Sequence, residues 1–129
     1  HDNLLDETAK SSIGGALGCI YYYLRDNLKA KQLLEENLYN LSQKYGENHD
    51  KIARILVYLG NFYRALDDYK KAKELLEQSL VIYEKYPNNA SHAKSLGYLG
   101  AVYGDLGNYE KAKELLEKSL AIHEKHLEN

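Results

Sequence analysis

An all-α solenoid of three antiparallel helix pairs is the fold class this sequence predicts, and three observations predict it. The first is an internal repeat. Leu59-Gly60 returns forty residues on as Leu99-Gly100, Tyr63 as Tyr103, Leu66 as Leu106, Tyr69 as Tyr109 and Ala72 as Ala112. Lys73-Glu74-Leu75-Leu76-Glu77 returns intact as Lys113-Glu114-Leu115-Leu116-Glu117. A weaker copy stands forty-two residues upstream, in Leu17-Gly18, Tyr21, Leu24, Ala30 and Leu33-Leu34. A period of this length marks stacked units, none of which buries its apolar face alone. The second observation is that apolar residues recur at helical spacing inside each unit. The third is that the period-two alternation of strands is absent.

Repeats are expected at about 6–48, 49–89 and 90–129, with helices near 6–24, 28–44, 50–66, 69–86, 91–106 and 109–126. In the second unit Leu56, Leu59, Tyr63 and Leu66 step by three, four and three and form one stripe. Turn chemistry then breaks the helix, as Asp67-Asp68 and, one unit later, as Gly107-Asn108. The following helix carries Tyr69, Ala72, Leu75-Leu76, Ser79-Leu80 and Ile82 at helical spacing. Its outer face is charged, and Glu114 precedes Lys118 by four in the favourable order. Gly46-Glu47-Asn48 and Pro87-Asn88-Asn89 end the second helices of the first two units. Gly18, Gly60 and Gly100 each cost about 1 kcal/mol of helix propensity relative to Ala. Their recurrence points to close helix approach, with Ala30, Ala72 and Ala112 expected on the other side of the contact.

The pattern resembles the tetratricopeptide repeat, whose signature runs from an apolar residue through Leu-Gly and Tyr to Ala and a second large apolar residue. The third unit supplies Leu96, Leu99-Gly100, Tyr103, Gly107, Tyr109, Ala112, Leu116 and Ser119; the second supplies Leu56, Leu59-Gly60, Tyr63, Tyr69, Ala72, Leu76 and Ser79. Glu84 and Glu124 stand where the family has Pro, so the second helices can run longer. The near-forty-two spacing and the Tyr-Gly-Glu-Asn-His-Asp linker are similar to the long-helix subtype of kinesin light chains and bacterial repeat proteins. The first unit departs most, with Gly14, Asn27 and Asn37 at the positions of the two large residues and the small one. The resemblance implies a right-handed superhelix whose concave side is lined by the first helix of each pair and binds protein segments.

On that face a helical wheel places Arg54, Tyr58, Asn61 and Ala65, flanked by Val57 and Arg64, in the second unit. The third unit offers Lys94, Tyr98, Ala101 and Asp105, and the first Ser12, Ala16, Cys19 and Tyr23 with Tyr22 beside them. The candidate groove residues are therefore Arg54, Tyr58, Asn61, Arg64, Lys94, Tyr98, Tyr22 and Tyr23. Tyrosines beside cations suit a peptide with acidic and apolar side chains. By the resemblance, Asn61 stands where many such repeats hold a ligand backbone, whereas Tyr58 and Tyr98 replace the other customary Asn. The same charges opposite an apolar stripe also describe a merely solvated face. Tyr21, Tyr63 and Tyr103 fall on the core side and read as packing residues.

Composition narrows the function further. The 129 residues carry a formal net charge of −2 and 44% hydrophobic residues, with thirteen tyrosines, one Phe and no Trp. Acids balance bases along the chain, which argues against nucleic acid and anionic membrane as partners. No apolar run approaches the roughly eighteen residues a membrane helix needs. A single cysteine, Cys19, allows no internal disulfide and suits a reducing, cytoplasmic setting. His123 and His126 are three apart but gather no further ligands, Cys19 has no His–Asp pair in phase, and Gly14-Gly15 lacks the strand and Lys of a phosphate loop. No enzyme, cofactor or metal site is expected. His49 and His92, near first-helix starts, read as linker or capping residues.

The leading expectation is a non-catalytic module that binds a protein or peptide partner, acidic in character. The alternative is a structural segment that stacks with further repeats or copies and takes no separate ligand. The chain opens and closes at nearly the same phase of the repeat, so it reads as a piece of a longer array. Its last helix keeps the internal pattern through Leu115, Leu116, Leu120 and Ile122, which predicts end-to-end association through that helix.

Overall fold

The computed structural model describes residues 7–85 and 89–128, with the side chains of 7–12, 19, 22 and 126–128 outside the described set. Six α-helices and no strand are found among these residues. They are α1 (Glu7–Tyr23), α2 (Asn27–Tyr45), α3 (Asp50–Ala65), α4 (Tyr69–Tyr83), α5 (Ala90–Asp105) and α6 (Tyr109–Glu128). Each helix packs against its successor along the chain, giving three antiparallel pairs stacked in order.

The turn inside each pair is built the same way three times. Arg25, Asp67 and Gly107 all take a left-handed backbone, with φ of 66°, 64° and 85°. Only Gly107 does so without a Cβ penalty. The next residue caps the second helix: Asp26 accepts from the Lys29 amide at 3.2 Å, Asp68 from Lys71 at 3.2 Å and Asn108 from Lys111 at 3.3 Å. First helices are capped too, by His49 Nδ1, which accepts from the Lys51 amide at 3.1 Å, and by Asn89 Oδ1, which accepts from the His92 amide at 2.7 Å. The capping expected at His49 is thus real, whereas His92 is the residue being capped.

Helix α4 stops at Tyr83 and α6 continues to Glu128, each a few residues from expectation. A more consequential correction concerns Leu66 and Leu106. Both fall just past their helix ends, at the C-cap, and are 40% and 49% exposed rather than core members. The recurring glycines do mark close approach, but the chief partner is the second leucine of the pair. A Cβ on Gly60 would stand 2.6 Å from Leu76 Cγ, one on Gly100 2.9 Å from Leu116 Cγ, and one on Gly18 3.0 Å from Leu34 Cγ. The conserved-in-place alanines contribute backbone: the Ala30 and Ala112 carbonyls lie behind Gly18 and Gly100.

The odd first unit is self-consistent. Where later units carry Leu56 or Leu96 and the small Ser79 or Ser119, this one carries Gly14 and Asn37. A Cβ on Gly14 would run into the Asn37 amide.

Polar atoms in the core are matched. Ser79 Oγ donates to the Leu76 carbonyl at 2.7 Å and bonds Ser95 Oγ across the α4–α5 contact. Ser119 Oγ donates to the Ala93 carbonyl at 2.7 Å. Among the described residues no buried side-chain polar atom lacks a partner.

Candidate partner-binding groove

The helices divide into an inner and an outer layer. Helix α3 touches both α1 and α5, whereas α2 does not approach α4, nor α4 approach α6, among the described residues. First helices crowded together and second helices splayed apart make the first-helix side concave. The residues opposite the core stripes of α3 and α5 face that side.

Arg54 and Lys94 are exposed there, and among the described residues neither is in an ion pair. Tyr58 is partly exposed and leans on α1, where a Cβ on Gly15 would lie 3.2 Å from its ring. The absence of a side chain at Gly15 lets this ring approach α1 closely. Asn61 is half-buried in the middle of the face, and Tyr98 is half-buried with its ring against the core. Tyr23 ends α1 and is 76% exposed. The Tyr22 side chain lies outside the described residues.

Arg64 needs a different account. Its Nε donates to Asp105 Oδ2 at 2.8 Å, tying α3 to α5. The face therefore has two open cations rather than three, and its local positive field is weaker than the sequence suggests. Val57, expected to flank the groove, is buried, because the central helix has neighbours on both flanks. Sequence reasoning placed Asp105 on this face but did not pair it. Repeat arithmetic compares equal positions, and Arg64 aligns with Gly104, one residue short of its partner.

Behind the groove, Tyr83 is fully buried between the helix pairs. Burial pushes its hydroxyl pKa up, against a lowering influence from Ser91 and Arg54. His92 packs its ring 6.0 Å from that of Tyr83, and burial lowers its pKa below the ordinary 6.5 while Glu84 pulls the other way. No group of three or more His, Cys, Asp or Glu side chains is arranged to hold a metal among the described residues. The face offers rings, an amide and two cations for contact.

A tetratricopeptide-repeat family model matches the chain twice, over residues 11–85 and 51–125, overlapping by one repeat. The chain belongs to the tetratricopeptide-repeat family. Solved structures agree on the fold. BtubC (BKLC) from P. vanneervenii matches with a TM-score of 0.83 at 24% identity, over 93% of this chain and 50% of that one. A kinesin-light-chain candidate from Podosopora anserina, with nearly identical TPR-like repeats, matches with a TM-score of 0.83 at 25% identity, over 95% of this chain and 59% of that one. The chain thus spans between half and three fifths of the length of these structures. No curated protein matches it significantly. Tetratricopeptide repeats are protein–protein interaction and scaffold modules, and that much extends to this chain. No helix among the described residues is long and apolar enough to cross a membrane.

Proposed function

We propose that this repeat array is a non-catalytic module that holds a peptide segment of a cytoplasmic partner in the concave groove. The observation that carries the reading is the inner face of α3 and α5, where Arg54 and Lys94 stand open beside Tyr58, Asn61 and Tyr98. Tyrosine rings give contact area at low conformational cost, and the two cations favour a partner with acidic side chains among apolar ones. Tyr23 extends the contact surface at the end of α1. Affinity is set at about micromolar by the small surface of three repeats, and it weakens with salt.

A peptide-library screen against wild type and an Arg54→Glu/Lys94→Glu double variant tests this. Acidic hits lost in the double variant, with helix content retained, support it. Basic or neutral hits that survive the change refute it. A second reading, a structural segment that stacks on further units, is favoured by a separate observation: Leu116 and Leu120 on α6 remain uncovered.

A further inference from the structure

Helix α3 begins at a cap that can take up a proton. His49 Nδ1 accepts from the Lys51 amide at 3.1 Å and lies 3.0 Å from Asp50 Oδ1. The two contacts demand opposite states of one nitrogen. An amide donor needs the lone pair of neutral imidazole, whereas a carboxylate oxygen only accepts and needs a proton on that nitrogen. Lys51 is the second residue of α3, so its amide has no carbonyl within the helix to bond and depends on the cap.

The imidazole sits among charges from both helices of the junction. On the α2 side its ring centre is 4.3 Å from that of Tyr45. Lys44 Nζ and Lys51 Nζ stand 5.3 and 5.7 Å from the same Tyr45 ring. Glu47 lies in the exposed linker, and Tyr83 of α4 is close enough to Asp50 and Arg54 to feel both charges. Of these groups Asp50 is the one within ion-pair reach of His49. The two side chains are 34% and 44% exposed, so protons from solvent reach them.

The next repeat supplies the comparison. Asn89 stands forty residues after His49 and caps α5 through Oδ1, and Ala90 follows it where Asp50 follows His49. An amide side chain does not change charge with pH, and no carboxylate lies next to it in sequence. The imidazole and the carboxylate occur together at the start of α3 and not at the start of α5.

We propose that His49 is a pH-sensitive cap at the junction of the first and second units. Neutral His49 carries its proton on Nε2 and accepts from the Lys51 amide through Nδ1. As pH falls through the range in which imidazole is protonated, Nδ1 gains a proton from solvent, releases the Lys51 amide and donates to Asp50 Oδ1. Both partners are already within reach, so the exchange needs no movement of the ring. The acid form leaves the first turn of α3 without its side-chain cap, on the helix that carries Arg54 and Tyr58. The inference does not depend on what the groove binds.

A nuclear magnetic resonance titration of the 129-residue chain, from about pH 8 to 5, tests the proposal. In wild type the ring nitrogens of His49 are expected to show an unprotonated Nδ1 at pH 8. The Lys51 amide proton should then move upfield, as a lost hydrogen bond requires, with the same midpoint as the His49 ring. His49→Asn, which copies the cap at Asn89, should leave the Lys51 amide bonded and its resonance flat across the range. Asp50→Asn removes the partner of the protonated ring, and the shared midpoint should move to lower pH. The ring resonances of His92 separate its titration from that of His49. A proton on Nδ1 at pH 8 would overturn the proposal, because that tautomer cannot accept from Lys51. So would a Lys51 amide that ignores the His49 titration, one that still titrates in His49→Asn, or an unmoved midpoint in Asp50→Asn.

Discussion

The second and third units place the same Lys-Glu-Leu-Leu-Glu segment on their second helices, yet the second leucine meets different fates. Leu76 is 0% exposed and Leu116 46%. Both seat on the glycine of their own first helix, Gly60 or Gly100, so the contact within the pair is the same. The difference comes from the far side, where α5 covers α4 and no described helix covers α6. Leu75 and Leu115, one position earlier, are buried equally. Half of each second helix is thus stabilised by its own hairpin and half by the next unit, as expected of a one-dimensional array.

The strongest test of this contrast is truncation of the two leucines. Leu76→Ala should destabilise by about 2–5 kcal/mol through lost burial and a cavity, and Leu116→Ala by much less, read from urea unfolding. Equal losses would mean that the end unit is covered in solution. Next, Gly60→Leu should cost about 1–3 kcal/mol or more by overpacking against an immobile Leu76. Gly100→Leu should cost less, because Leu116 has open space in which to move.

The buried serines should separate as well. Ser79→Ala leaves the Ser95 hydroxyl without its partner and should cost about 1–3 kcal/mol. Ser119→Ala removes one bond to a carbonyl and should cost about 1 kcal/mol. At the surface, Arg64→Ala should lower thermal stability by no more than about 1 kcal/mol, since the ion pair is partly exposed. It should also show whether Asp105 repels an acidic peptide.

The smallest effect is expected at His92, which takes the place of Ile52 in the second unit. Its folded pKa lies below the ordinary 6.5 because burial opposes the charged form. Neutral His92 therefore supports the fold above pH 6.5 and loses that contribution as pH falls through the lowered pKa. The drop in melting temperature between about pH 7.5 and 5 should be smaller in His92→Leu than in wild type.

Much of this was legible in the residues. Apolar spacing located the helices, and Asp67-Asp68 and Gly107-Asn108 marked turns whose capping role the structure supplies. On α3 and α5 the helical wheel anticipated exposure alone: Arg54, Tyr58 and Lys94 are exposed, and Asn61 and Tyr98 half-buried. Leu66 and Leu106 misled because the three–four step carries them onto the stripe, while the left-handed residue that follows ends the helix first. Arg64–Asp105 was hidden because ion pairs between neighbouring helices run diagonally, between positions that do not align in the repeat.

By itself the sequence determined the repeating unit, its helices and its turns, because these rest on interactions a few residues apart: backbone bonds, caps and a 3.6-residue apolar period. Only the tertiary structure decided which of several equivalent side chains is buried and which cation is neutralised. Those outcomes depend on what lies beside a helix rather than along it. Two identical segments therefore differ as soon as one has a neighbour and the other does not.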